Sequence, residues 1–233
     1  MSDAGPPSRA LRPAAVPAGP PPDERPPAAD PVFRRAVAEL ENAVRELRAL
    51  RPELGFEGEP PPRRLAPHAA AVAGSVDDGG REIGSGRFVL LYDPAGQDGW
   101  AGPFRVIAYV QADLDPEIAA DPLIGQVGWS WLTEALTERS AGYAASSGTV
   151  TRVVTEGFGT KQDDPATTEF EMRASWSPVT AGGDHYELDR HLAAWADTLC
   201  VAAGLPPLPP GVAHFRPPSA RPQDQPPRAR PRP

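Results

Sequence analysis

The sequence predicts an α+β fold, a single antiparallel sheet of about five strands with helices packed on one face, and two observations carry that reading. Segments of alternating hydrophobicity follow one another as hairpins separated by Asp/Gly turns, whereas amphipathic helical segments are few and sit at the start, middle and end of the chain. Consecutive hairpins with few crossovers imply antiparallel pairing, with the helices gathered on one side.

Proline sets the domain limits. Of 32 prolines, ten lie in residues 1 to 31 and eleven in residues 206 to 233. Such segments can join neither helix nor sheet and are poor in apolar residues, so residues 1–30 and 206–233 are expected to be disordered Pro-rich tails around a single domain at 31–205. A chain of that length buries roughly 70% of its unfolded surface and needs no disulfide or metal to hold it.

Asp30-Pro31 opens the first helix, with Asp accepting from free N–H groups and Pro having none to leave unsatisfied. Phe33, Val37, Leu40, Val44, Leu47 and Leu50 give it an apolar stripe, with Glu39, Glu41, Arg45, Glu46 and Arg48 on the wet side, and Pro52 ends it. A strand through AAAVAGSV, the turn Asp77-Asp78-Gly79-Gly80 and a returning strand over Arg81 to Tyr92 form a hairpin. Phe88 to Tyr92 is apolar on both faces and is expected to be central. Phe104 to Ala112 alternates Phe104, Val106, Ala108 and Val110 against Arg105, Ile107, Tyr109 and Gln111. Asp115-Pro116 and Asp121-Pro122 each start a helix, a short turn over 116–120 and a longer helix over 122–139. Strands follow at 147–157 and 167–176, the latter with Phe170, Met172, Ala174 and Trp176 inward and one face open to water. The last helix runs from Leu188 to Ala203 on Leu188, Leu192, Trp195, Leu199 and Ala202, and Gly204 and Pro206 stop it.

Charge excludes whole classes of function. Residues 31–205 carry 15 basic and 26 acidic side chains, a body of −11, while 206–233 carry five Arg against one Asp. An acidic body repels polyphosphate backbones, so nucleic-acid binding is not expected beyond weak contacts of the tail. The single cysteine, Cys200, permits no internal disulfide and no Cys-based zinc site. No apolar run approaches the length of a signal peptide core or a membrane span, which predicts a cytoplasmic protein with no membrane partner. Lys161 is the only lysine, and no Gly-rich phosphate loop accompanies it.

No catalytic pattern is complete. Asp113, Asp115 and Glu117 alternate at a strand end, but Asp115 is better used as a helix cap than as a metal ligand. His185 and His191 are six apart, not the three or four that a helical metal pair needs, and His191 has no nucleophile to serve. Cys200 is expected to be a buried, inert thiol. Neither a catalytic residue nor a metal ligand nor a cofactor is therefore expected.

Gly128-Trp129-Ser130-Trp131-Leu132 stands out instead. Residues two apart on a helix point about 200° from each other, so the two tryptophans cannot face the same core: either Trp129 aligns with Leu132 and Leu136 and Trp131 looks toward a cleft or partner, or a helix sandwiched between two elements buries both. Trp100, on a Gly-flanked loop, has no evident core position. Arg105 and Arg152 lie among apolar neighbours in strands and are candidate anion contacts, with salt bridges to Glu169 or Glu171 as the alternative. These residues support two expectations. One is a non-catalytic protein-binding or adaptor module that uses Trp100 and Trp131 as anchors. The other is a small-molecule site, in a binding protein or an enzyme, between the sheet and the 122–139 helix, with Trp129 or Trp131 stacking a planar anionic ligand that Arg105 or Arg152 pairs.

The order LLYDPAGQ, W-x-G-x-FR, AADP, VGWSWLTEAL, SGTVTR and LxxHLxAWxDxLCxxAGLPP over residues 31 to 207 resembles the actinobacterial domain-of-unknown-function 3000 family. The resemblance implies a cytosolic bacterial protein and supplies no catalytic residues to carry over.

Overall fold

The computed structural model describes residues 30–180, 182–183 and 185–206. The Pro-rich tails lie outside the described residues except at their junctions. The elements run α1 (Pro31–Leu50), β1 (Leu54–Glu59), β2 (His68–Asp78), β3 (Arg81–Tyr92), β4 (Phe104–Asp113), α2 (Pro116–Ala119), α3 (Ile124–Glu138), β5 (Tyr143–Thr155), β6 (Thr167–Pro178) and α4 (Leu188–Ala202). The fold is α+β, with one six-stranded sheet in the order β1-β2-β3-β4-β6-β5, antiparallel throughout.

The expected Asp-Pro starts of α1 and α2 and the Asp-Gly turn are in place, whereas Asp121-Pro122 forms a turn and α3 begins later, at Ile124, with no side-chain cap. Asp30 Oδ1 accepts from the Val32 N–H at 2.8 Å, Asp115 from Glu117 and Asp121 from Leu123, both also at 2.8 Å. Gly79 and Gly80 take φ of 63° and 92° in the β2–β3 hairpin, where Asp77 Oδ1 accepts from the Gly80 N–H. The sixth strand is β1, which the sequence reading left in the connection after α1. Its only inward residues are Leu54 and Phe56, and two glycines with two glutamates make up the rest, so no apolar run announces it.

β6 carries the apolar alternation and takes an interior position, whereas β5, rich in Ser and Thr, stays at the edge. Crossing from β4 to β5 through α2 and α3 and returning along β6 satisfies both. The core lies between the sheet and the helices, with α4 in the middle: Leu188, His191, Leu192, Ala194, Trp195, Thr198, Leu199 and Cys200 are all essentially inaccessible. Trp195 explains the close approach. Its ring fits a notch opposite Gly74 and Gly86, where a Cβ would come within 2.7 Å and 3.0 Å of the indole, and its Nε1 donates to the Tyr109 carbonyl at 3.1 Å.

The α1 stripe is turned slightly from the expected one. Phe33, Ala36, Leu40, Ala43 and Leu47 are buried, with Val37 and Val44 on the flank. Glu39, expected on the wet side, instead accepts from the Leu188 N–H at 3.1 Å and caps α4. Arg139 at the end of α3 makes a two-pronged ion pair with Asp197 of α4, at 2.7 and 3.0 Å, which ties the two helices together.

Candidate functional site

Alternation along β4 and β6 puts Arg105, Ile107, Tyr109, Arg173 and Ser175 on the face of the sheet opposite the helices. Register makes them neighbours: Ile107 pairs with Ser175 and Tyr109 with Arg173, while Ser147 and Thr149 of β5 lie beyond. Arg105, Ile107, Arg173 and Ser175, with Ser147 and Thr149, form the floor of a basin of about 580 Å³ also lined by Leu65, Leu91, Gln97 and Trp100.

The wall is held by specific bonds. Trp100 sits on the 93–103 loop against Ala71, Val89 and Leu91, the small apolar cluster on this face. Gln97 Nε2 donates to the Leu65 carbonyl and to Asp93 Oδ2, both at 3.1 Å, joining the loop to the preceding crossing segment. The fully buried Ser177 Oγ accepts from the Ala101 N–H at 3.0 Å.

Arg105 is fixed by neutral oxygens alone. Nη1 donates to the Ala145 carbonyl at 2.9 Å and to Ser177 Oγ at 3.4 Å, and Nη2 donates to Ser175 Oγ at 2.6 Å. The Ala145 carbonyl is presented by a bulge in β5, where the register slips between Ala144 and Ser147 and Ala145 takes φ of 51°. Burial lowers the Arg105 pKa from its ordinary value. Arg173 differs: its Nη2 lies 3.0 Å from Glu171 Oε2, and its guanidinium stacks over the Tyr109 ring at 5.3 Å. The lining contains no His, Cys, Lys, Asp or Glu. It offers charge, hydrogen bonds and an apolar wall, with no general base.

The five residues singled out from the sequence separate into two groups on opposite faces. Trp100 and Arg105 meet in the basin. Trp129, Trp131 and Arg152 lie on the helix side. Trp129 covers Gly148 of β5, where a Cβ would come within 2.5 Å of its ring, and Trp131 packs on Phe170 with ring centroids 5.4 Å apart. Both are partly buried against the core, which is the alternative of a helix that buries both. The reason is geometric. The buried seam of α3 runs through Gly128, Leu132 and Ala135, and each tryptophan lies about 80° to one side of it, near enough for a long ring to reach back. Arg152 Nη1 donates to the carbonyls of Ala119 and Asp121 at 2.9 and 3.3 Å, tying β5 to the end of α2. Neither arginine pairs with Glu169 or Glu171. A cleft between sheet and α3 that joins these tryptophans to Arg105 is therefore not formed.

Arg173, Ser147, Ser175 and Ile107 were missed as site residues. The outward half of the β6 alternation marked Arg173 and Ser175, but nothing local gave their register against β4.

The other candidates are accounted for structurally. Trp176 Nε1 donates to His191 Nδ1 at 3.0 Å, and burial lowers the His191 pKa to about 4. Burial pushes the Cys200 thiol up to about 12. Among the described residues no group of three or more His, Cys, Asp or Glu side chains gathers to hold a metal, and no helix is long and apolar enough to cross a membrane.

No curated protein and no solved structure matches the chain. A family model described as a protein of unknown function, DUF3000, matches residues 29–213, which spans the whole sheet and all four helices, and the chain belongs to that family.

Proposed function

We propose that this is a non-catalytic binding protein whose recognition site is the basin on the helix-free face, taking an anionic group against Arg105. One observation carries the reading: in a body of net charge −11, a guanidinium lies in a concave site with no carboxylate among its partners or in the lining. Arginines on acidic surfaces ordinarily find a carboxylate, as Arg139, Arg173 and Arg190 do here. Trp100 and Ile107 supply an apolar wall and floor, the usual company of a few converging polar groups in a ligand site.

Melting of the wild type and of Arg105→Gln against acetate, benzoate, phosphate and sulfate tests it. A specific anion at a hundred times its dissociation constant stabilises by about 2.7 kcal/mol. That gain is expected for the wild type with at least one of these anions and not for Arg105→Gln. An equal gain in the variant would remove the basin from consideration.

A protein partner, the first of the two sequence expectations, is favoured by a different observation. Ile118, Leu123 and Val127 of the α2–α3 segment are exposed, Leu123 by 53%. The basin is the stronger reading because it combines charge, shape and fixed geometry. An acidic body offers nothing to a polynucleotide in either case.

A further inference from the structure

We infer that the basin takes a small monocarboxylate carrying a flat apolar body, held on the free edge of Arg105 with its body against Trp100. This deepens the reading of the basin as the recognition site and rests on it.

Charge selects a monoanion. Of the two guanidiniums in the lining, Arg173 is already paired with Glu171, and Arg105 alone lacks a counter-charge. A carboxylate neutralises it. A phosphate dianion or a nucleotide would leave surplus negative charge in a body already at −11.

Donor geometry selects a planar two-oxygen group. A guanidinium has five N–H donors, and three are taken up by the Ala145 carbonyl, Ser177 Oγ and Ser175 Oγ. Among the described residues nothing accepts from Nε or from the second N–H of Nη2. Nε and Nη2 share one edge of the fork, the edge on which a guanidinium receives both oxygens of a carboxylate. Ser175 Oγ, which accepts from Arg105, lies 3.2 Å from Ser147 Oγ. With the Ser175 hydroxyl donating to Ser147, the Ser147 O–H is left as a further donor at the exposed side of the basin.

The remaining lining selects the body. Leu65, Leu91, Trp100 and Ile107 are apolar, Leu65 and Ile107 are 46% and 36% exposed, and about 580 Å³ suits a molecule of a few rings. Indole against a flat body adds stacking to area burial.

Calorimetric titration of the full chain at low salt with 2-naphthoate, 2-naphthyl phosphate and 2-naphthylmethanol tests the assignment. The expected result is one-to-one binding of 2-naphthoate, with the phosphate weaker and the alcohol at least about tenfold weaker, since a charge-assisted paired contact is at stake. Arg105→Gln should weaken 2-naphthoate by about tenfold or more, and Arg105→Lys should not restore it, because an ammonium lacks the fork. Arg152→Gln, on the other face, should leave it unchanged. Tighter, Arg105-dependent binding of the phosphate would overturn the carboxylate assignment and leave the basin as the site. Binding of 2-naphthoate indifferent to Arg105→Gln would overturn both readings. No 2-naphthoate binding by the folded wild type would overturn the assignment of a flat apolar monocarboxylate, and an Arg105-dependent stabilisation by acetate, phosphate or sulfate would then still uphold the basin.

Discussion

On the helix-covered face of the sheet, glycines face a buried indole, a histidine is sealed beside a tryptophan, and α4 is closed off on nearly every side. On the other face, the same strands present Ser, Thr, Arg, Tyr and a half-open Ile107, with two loops and one indole covering only part of it. The strands cannot differ in backbone, since both faces share it. What differs is tolerance: the first face is committed mainly to packing around α4 and Trp195, and the second retains free donors and apolar surface. Substitutions on the two faces should therefore divide into those that remove the fold and those that remove only binding.

The largest expected effect is at Gly86. A Cβ there would lie 2.6 Å from the Tyr109 carbonyl oxygen and 3.0 Å from Trp195, and the carbonyl belongs to the adjacent strand and already accepts from Trp195 Nε1. Neither neighbour can retreat, so Gly86→Ala should cost about 4 kcal/mol or more, or abolish soluble folding. Ala73→Val, on the helix-free face, should change stability by less than about 1 kcal/mol in the same urea titration. Equal effects would erase the distinction between the faces.

Trp131 follows. Its packing on Phe170 makes it a structural residue, and Trp131→Ala should cost about 2 to 3 kcal/mol, below the full range for buried aromatics because the ring is only partly covered. A melting temperature within a degree or two of wild type would return Trp131 to the surface role that its spacing from Trp129 first suggested.

Local signals made much of the fold legible: the Asp-Pro starts of α1 and α2, the Asp-Gly hairpin, the doubly apolar Phe88 to Tyr92 and the strict alternation of β6. β1 escaped because two inward residues in six make no pattern. The spacing of Trp129 and Trp131 left core and surface both open, and side-chain length, which angle arithmetic ignores, decided it by letting both flanks of α3 reach the core. The basin was legible only in pieces. Trp100 and Arg105 stood out as residues without a core position, yet the residues that complete the site with them come from β5 and β6. Their meeting depends on sheet order, register and a bulge at Ala145, none of which is written locally.

The covered face also predicts an acid response. His191 Nδ1 accepts from Trp176, so the ring is neutral with its proton on Nε2, and that atom is sealed without a partner. Protonating Nδ1 would break the Trp176 bond and bury a charge. With a folded pKa of about 4 against about 6.5 unfolded, stability is unaffected above pH 6.5 and falls as pH drops from there toward 4, by about 2 kcal/mol at pH 5. His191→Gln, measured by urea unfolding at pH 7 and pH 5, should flatten most of that fall. A slope unchanged in the variant would assign the acid sensitivity to other groups.

Trp100→Ala should give a small effect on stability and the clearest separation of the faces. Trp100 rests on the small cluster of Ala71, Val89 and Leu91, away from the main core, and its loop is held independently by Gln97 and by Ser177. Its loss should cost about 1 kcal/mol, since the cluster is shallow and the loop keeps its bonds. The same change removes the wall against which a flat ligand lies, so 2-naphthoate should weaken several-fold. Trp131→Ala reverses the pattern, with a large fall in melting and little change in binding by the protein that remains folded. Measured together, the two variants distinguish an indole that holds the sheet to its helices from one that faces a ligand.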